Sequence, residues 1–270
     1  MLALKIFNLL TFIITIVFNG LTTRSFGPFK PISNISKHYE TILTPPNWAF
    51  GIWGVIYTGL LLFTIAQFVP SFKLDNALNQ IGGYFIVTNL LNIAWLLIFS
   101  VGKNWSIYVS SIVIAFLFLC LVIIQLKTNM FHKKGWQTLF VDIPFSLYLG
   151  WIFFAFVVNL SILFKILVDY SDIENVFFII IFSCISLCYL LNYLFFKNSV
   201  TMLVFFYICV AFYVKFQTND LLKNAIGGLF IFNLVSFVLA IICRTFSKKN
   251  KFSKKQKNIN YYYNEMDDDV

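Results

Sequence analysis

Charge is scarce in this chain: 11% of its 270 residues are Asp, Glu, Lys or Arg, against about 25% in a soluble domain. A folded domain of this length still needs a polar surface, so 60% hydrophobic residues and a mean hydropathy of +0.83 exclude a soluble globule. Histidine is almost missing as well. His38 and His132 both fall in loops without ligand-spaced partners, which assigns no metal ligands. The five cysteines, Cys120, Cys184, Cys188, Cys209 and Cys243, lie in or beside apolar runs with no CxxC pair. Reduced, buried thiols are therefore expected and a disulfide framework is not. No Ser/His/Asp or Cys/His constellation can be assembled, and neither Gly82–Gly83 nor Gly227–Gly228 carries the Lys and Ser of a phosphate loop. Within the apolar runs the one carboxylate is Asp142, just ahead of Pro144. A helix-start anion is expected there, and a proton-driven pump, which needs ionisable groups in its spans, is disfavoured. No catalytic residue is assigned.

What the chain does have is long apolar runs. Eight candidate spans cover residues 4–21, 48–69, 81–101, 107–126, 139–164, 176–196, 200–216 and 225–243, each set against ~30 Å of hydrocarbon. The expected class is an all-α, multi-pass membrane protein. The first run has Lys5 ahead of an apolar core but no small-residue cleavage site, so it reads as a retained helix. The net charge of +9 does not point to nucleic acid, because seven of the twenty basic residues follow Ile242 and so sit directly after the last span. Such a segment fixes topology and meets anionic headgroups. With eight spans, thirteen Lys and Arg fall on the side of the two tails and seven on the other, which predicts both termini in the cytosol. The tail, residues 244–270, is basic, then acidic, and is expected to be disordered.

Three helices carry aromatic rings on one face. In "LTPPNWAFGIWGVIYTG", Pro45 and Pro46 stop an upstream helix, Asn47 is placed to cap, and Trp48 sits at the interface. Phe50, Trp53 and Tyr57 then fall at i, i+3 and i+7, flanked by Gly51 and Gly54, which would let a neighbouring backbone close in. In "TNLLNIAWLLIF", Asn92, Trp95 and Phe99 repeat that spacing with Asn89 a turn earlier. Amides in hydrocarbon must face the bundle, as glue between helices or as donors to a ligand. In the fifth span Tyr148, Trp151, Ala155 and Asn159 run at i, i+3, i+7 and i+11, Pro144 begins or kinks the helix, and Gly150 leaves space. Dense packing and a shared aromatic pocket both account for three such faces.

"TPPNWAFGIWGVIY", "NIAW" and "YLGWIFFAFVVN" resemble the tryptophan-rich sensory protein and translocator protein family, over about residues 7–164. The segment "FNGLTTRSFGPFKPISNISKHYETILTPP" is similar to its longer branch. The resemblance implies a five-helix bundle (residues 1–166) with a pocket under the first loop, followed by three additional helices (167–243) and the tail. It also implies binding of a flat hydrophobic molecule, a porphyrin, haem-like tetrapyrrole or sterol, with no required cofactor, and assembly as a homodimer. By position it makes Trp48, Phe50, Trp53, Asn92, Trp95, Trp151 and Ala155 pocket residues. The aromatic faces add Tyr57, Phe99, Tyr148 and Asn159. One departure stands out: "FGIW" is one residue shorter than the Phe-Gly-Pro-Val-Trp of short members, which on an α-helix turns Trp53 by about 100° relative to Phe50. Sensing or trafficking of such a ligand is the function implied. A transporter of the same ligands and a structural protein without one are the alternatives.

Overall fold

A computed structural model describes residues 1–22, 29–131, 135–168 and 171–268, with side chains up to Phe246 other than that of Ser171. Among the described residues ten α-helices form: α1 (Leu2–Thr22), α2 (Ile32–His38), α3 (Ile52–Ala66), α4 (Asp75–Ile81), α5 (Tyr84–Ser100), α6 (Asn104–Thr128), α7 (Ile143–Leu167), α8 (Glu174–Phe196), α9 (Ser199–Lys215) and α10 (Asp220–Asp268). His132 falls outside the described residues, as does Arg24.

Six helices are individually long and apolar enough to cross a membrane, α3 counting with its 3₁₀ opening from Asn47. The third expected span, 81–101, is instead a pair, α4 and α5, bent by 54°. Gly82 makes the break with φ +54°, a conformation glycine adopts without a Cβ clash. The seventh expected span is α9, whose 17 residues reach about 25 Å, short of a full crossing without help from flanking turns. Integral, multi-pass membrane insertion follows from length and composition.

Helix α10 continues through the segment expected to be disordered, as far as Asp268. No Gly or Pro occurs after Gly228 to stop it, and Lys, Gln and Glu are good helix formers.

Five elements close a ring in which α1 packs on α5, α5 on α6, α6 on α7, α7 on α3, and α3 back on α1. Helix α9 leans on the outside of α7, and α8 and α10 pack on α9 and on each other. Two contacts draw these layers tight. A Cβ on Gly59 would lie 3.2 Å from Pro144 of α7, and one on Gly150 would lie 3.1 Å from Val204 of α9. By contrast nothing lies within 4 Å of a Cβ on Gly51 or Gly54, so the expected close approach there does not occur. Inside the ring, Phe12, Phe63, Phe85 and Phe145 meet from four helices with centroids 5.1–6.1 Å apart.

Contacts at the helix ends show which loops share a face of the bundle. Lys5 pairs with Asp75 at 2.8 Å, Asn198 donates to Gln125, and Arg244 donates to the carbonyls of Tyr193 and Leu194. At the opposite end, Lys165 and Lys215 both reach the segment between α2 and α3. The start of α1 and Arg244 of α10 therefore lie at the same end of the bundle.

Candidate functional site

The entry to α3 is wound more tightly than a helix cap. Pro46 is extended (ψ 151°), and its carbonyl accepts from the Ala49 N–H at 2.9 Å, opening a 3₁₀ turn over Asn47–Gly51. Asn47 thus sits inside the turn and makes no side-chain cap bond. A 3₁₀ turn advances about 120° per residue, so residues three apart eclipse. That tight winding offsets the missing residue of "FGIW": Phe50 and Trp53 both line one cavity.

The cavity lies at the first-loop end of the ring. Phe50 and Trp53 come from the α3 entry, Trp95 and Phe99 from α5, and Trp151, Ala155 and Asn159 from α7. The Trp151 ring is perpendicular to Phe50 at 6.1 Å and to Trp53 at 6.5 Å, while Trp95 stacks on Phe99 at 5.2 Å. Of the eleven candidate residues, these seven are brought together.

The other four are placed elsewhere. Trp48 is 47% exposed and meets the ring of Tyr207 on α9 at 5.7 Å, as an interfacial anchor would. Tyr57, Asn92 and Tyr148 form a polar belt beneath the cavity. The Asn92 amide donates to the Tyr148 hydroxyl at 2.8 Å and to that of Tyr57 at 3.4 Å, and Asn19 of α1 also donates to Tyr57. Asn89, too, is glue, donating to Thr11 of α1 at 3.1 Å. The two amides in α5 therefore face the bundle as expected, with their N–H groups spent on neighbouring helices. Asn159 is similarly engaged, accepting from the Trp95 indole at 3.3 Å and donating to the Ala155 carbonyl at 2.9 Å. One polar group on the cavity wall is left over: the Trp151 indole N–H, buried and with no acceptor among the described residues. Such a donor costs about 1–3 kcal/mol when left unpaired.

Ile32, Ser36 and Pro45 of the lining come from the first loop. Helix α2 and the strap 39–46 form a lid. At one edge Ile35 presses on Gly102, where a Cβ would come within 2.5 Å and φ is +65°. Beside it, the Tyr39 hydroxyl donates to Asn104 Oδ1 at 3.0 Å, and burial pushes its pKa further above neutrality, so that bond persists across the physiological range. At the other edge Lys215 Nζ donates to the Thr44 carbonyl at 2.8 Å and pairs with Glu40 at 3.5 Å, while Lys165 Nζ donates to the Glu40 carbonyl. Periodicity could not find the lid, because a short loop helix and an irregular strap have none. Phe154, Val158 and Ile162 of the lining sit on the α7 face between the aromatic positions.

The enclosed volume is about 30 Å³, room for a water or two. A pocket for a drug-sized ligand needs about 300–1,000 Å³. The cavity is therefore closed around its own rings. Asp142, expected as a helix-start anion at the interface, is instead fully buried at the start of α7 and accepts from the Phe131 N–H at 3.0 Å. It lies at the end of α7 away from the cavity, and Pro144 follows it in the first turn as anticipated.

No curated protein and no solved structure matches the chain. A protein-family model described as TSPO-like protein matches residues 5–243, well beyond the 7–164 of the sequence resemblance and through α8, α9 and the apolar part of α10. With that match spanning most of its length, the chain belongs to the TSPO-like protein family.

Proposed function

We propose that this membrane protein binds a flat hydrophobic molecule, a porphyrin or a sterol, between the aromatic walls of the cavity, and uses that binding for sensing or trafficking. The observation that carries the reading is the convergence of Phe50, Trp53, Trp95, Phe99 and Trp151 from three helices beneath a lid, with the Trp151 N–H unpaired. Aromatic faces stack on a flat ligand, and a ligand acceptor satisfies the indole. On this reading both termini are cytosolic, which the thirteen Lys and Arg counted on their side of eight spans, against seven on the other, support.

The small closed volume favours a second reading, a structural bundle whose rings simply pack. Titrating the detergent-solubilised chain with porphyrin and following the porphyrin's visible absorption separates the two. Saturable binding that weakens about tenfold in Trp95→Ala, the loss of one stacked ring, is the expected result. Absence of saturable binding to both porphyrins and sterols leaves the structural reading.

A further inference from the structure

At the end of the bundle opposite the lid, a second cavity of about 380 Å³ opens between the C-terminus of α8 and α10, lined by Tyr193, Lys197, Ser199, Phe237 and Arg244 among others. Its electrostatics are one-sided. No carboxylate lines it, and neither Lys197 nor Arg244 has an ion-pair partner among the described residues. Arg244 is held in place: Nη2 donates to the carbonyls of Tyr193 and Leu194 at 3.1 Å each, and the guanidinium lies 4.6 Å over the Tyr193 ring. Those bonds use the N–H groups of one nitrogen, so Nε and Nη1 keep donors for another partner. Lys197 ends α8 in the left-handed conformation (φ 57°) with its side chain exposed. Two cations share one mouth, with no anion between them among the described residues.

The walls away from that mouth are apolar. Phe237 packs on Tyr193 at 4.6 Å, and Ile241, one turn further along α10, lines the cavity with it. A charged mouth continuing into an apolar groove matches a lipid, headgroup at the cations and acyl chain along α10. Lys5 of α1 lies at this end of the bundle, and the positive-inside count over eight spans expects this end at the cytoplasmic leaflet, where anionic lipids concentrate.

We propose that this cavity is a binding site for the phosphate of an anionic phospholipid, held by Arg244 and Lys197 with its acyl chain against Phe237. It is separate from the aromatic cavity and does not depend on the ligand proposed for that site.

The test uses the full-length chain in nonionic detergent, with phosphatidylglycerol competing against phosphatidylcholine and bound lipid counted by native mass spectrometry. The expected result is a preference for phosphatidylglycerol that falls about fivefold in Arg244→Gln and again in the double variant with Lys197→Asn, the worth of one cation near an anionic surface. Lys37→Gln, on the lid side, leaves the preference unchanged. Asparagine tolerates the left-handed conformation, so Lys197→Asn alone keeps the test valid if Arg244→Gln misfolds. No preference in the wild type, or a preference intact in the double variant, overturns the proposal and assigns any lipid selectivity to the basic tail. Adding inorganic phosphate distinguishes the source of the anion: retained lipid supports a lipid site, and complete displacement at equal concentration overturns it in favour of a soluble phosphate.

Discussion

All six tryptophans of the chain fall before Ile152 and so belong to the ring of α1, α3, α5, α6 and α7 or its connecting segments, whereas α8, α9 and α10 carry none. In the ring, aromatic walls stand over a belt of amides and hydroxyls, Asn19, Tyr57, Asn92 and Tyr148. In the outer three helices, Phe178, Phe182, Phe205 and Phe212 pack on one another at 5.0–5.9 Å, with Asn233 and Ser186 joined by a buried hydrogen bond. Phenylalanine fills space and asks for no partner, so this cluster packs as a buttress behind α7. Tryptophan adds an N–H that needs an acceptor, and on Trp151 that need is unmet. The difference teaches where the molecule can change: the outer half backs α7 and fixes its position, and the inner half keeps an unsatisfied wall facing a lid.

Breaking the buttress gives the largest effect. Phe182→Ala leaves a cavity among three rings and is expected to cost about 3 kcal/mol, read as a lower midpoint of thermal unfolding in detergent. Porphyrin affinity, measured below that midpoint, stays the same. Cutting the belt comes next: Asn92→Leu strands the buried Tyr148 hydroxyl, for a loss of about 1–3 kcal/mol in the same assay. A paired glycine test sharpens the contact between the halves. Gly150→Ala drives a methyl into Val204 and costs about 1 kcal/mol or more. Gly51→Ala, which meets nothing, is neutral or stabilises by up to about 1 kcal/mol through helix propensity. Smallest is the lid: Lys215→Met removes its ties to Glu40 and Thr44, worth about 0–1 kcal/mol. Its signature is faster porphyrin association in stopped-flow mixing with stability little changed.

Much of this architecture was legible in the residues. The i, i+3, i+7 spacing of Asn92, Trp95 and Phe99, and the longer series from Tyr148 to Asn159, describe faces that do meet, because helical periodicity transfers directly to geometry. Roles within a face were less legible. Spacing cannot say that Asn92 donates to Tyr148 rather than facing the cavity, since that depends on the axial level of a neighbouring helix. Glycine was ambiguous for the same reason: Gly51 and Gly54 look like packing sites and face open space, while Gly59 and Gly150 make the close approaches. The 3₁₀ winding that returns Trp53 to Phe50 was hidden, because Pro46 fixes where a helix starts and not how tightly it turns. Helix α4 escaped notice because "DNALNQI" is too short and polar for a span.

Larger openings than the aromatic cavity exist on the outside of the bundle, among them one of about 440 Å³ between α7 and α8 lined by half-exposed Leu160 and Phe164. A flat apolar molecule could be soaked up there with no use of the tryptophans. The account is therefore tested most directly by irradiating the protein with a photoreactive porphyrin and mapping the labelled residues by mass spectrometry. The result predicted is labelling of the lid and the walls, at Ile32, Ser36, Trp95 and Trp151, reduced by excess unlabelled porphyrin. Competed labelling confined to Leu160, Phe164 and their neighbours would contradict it.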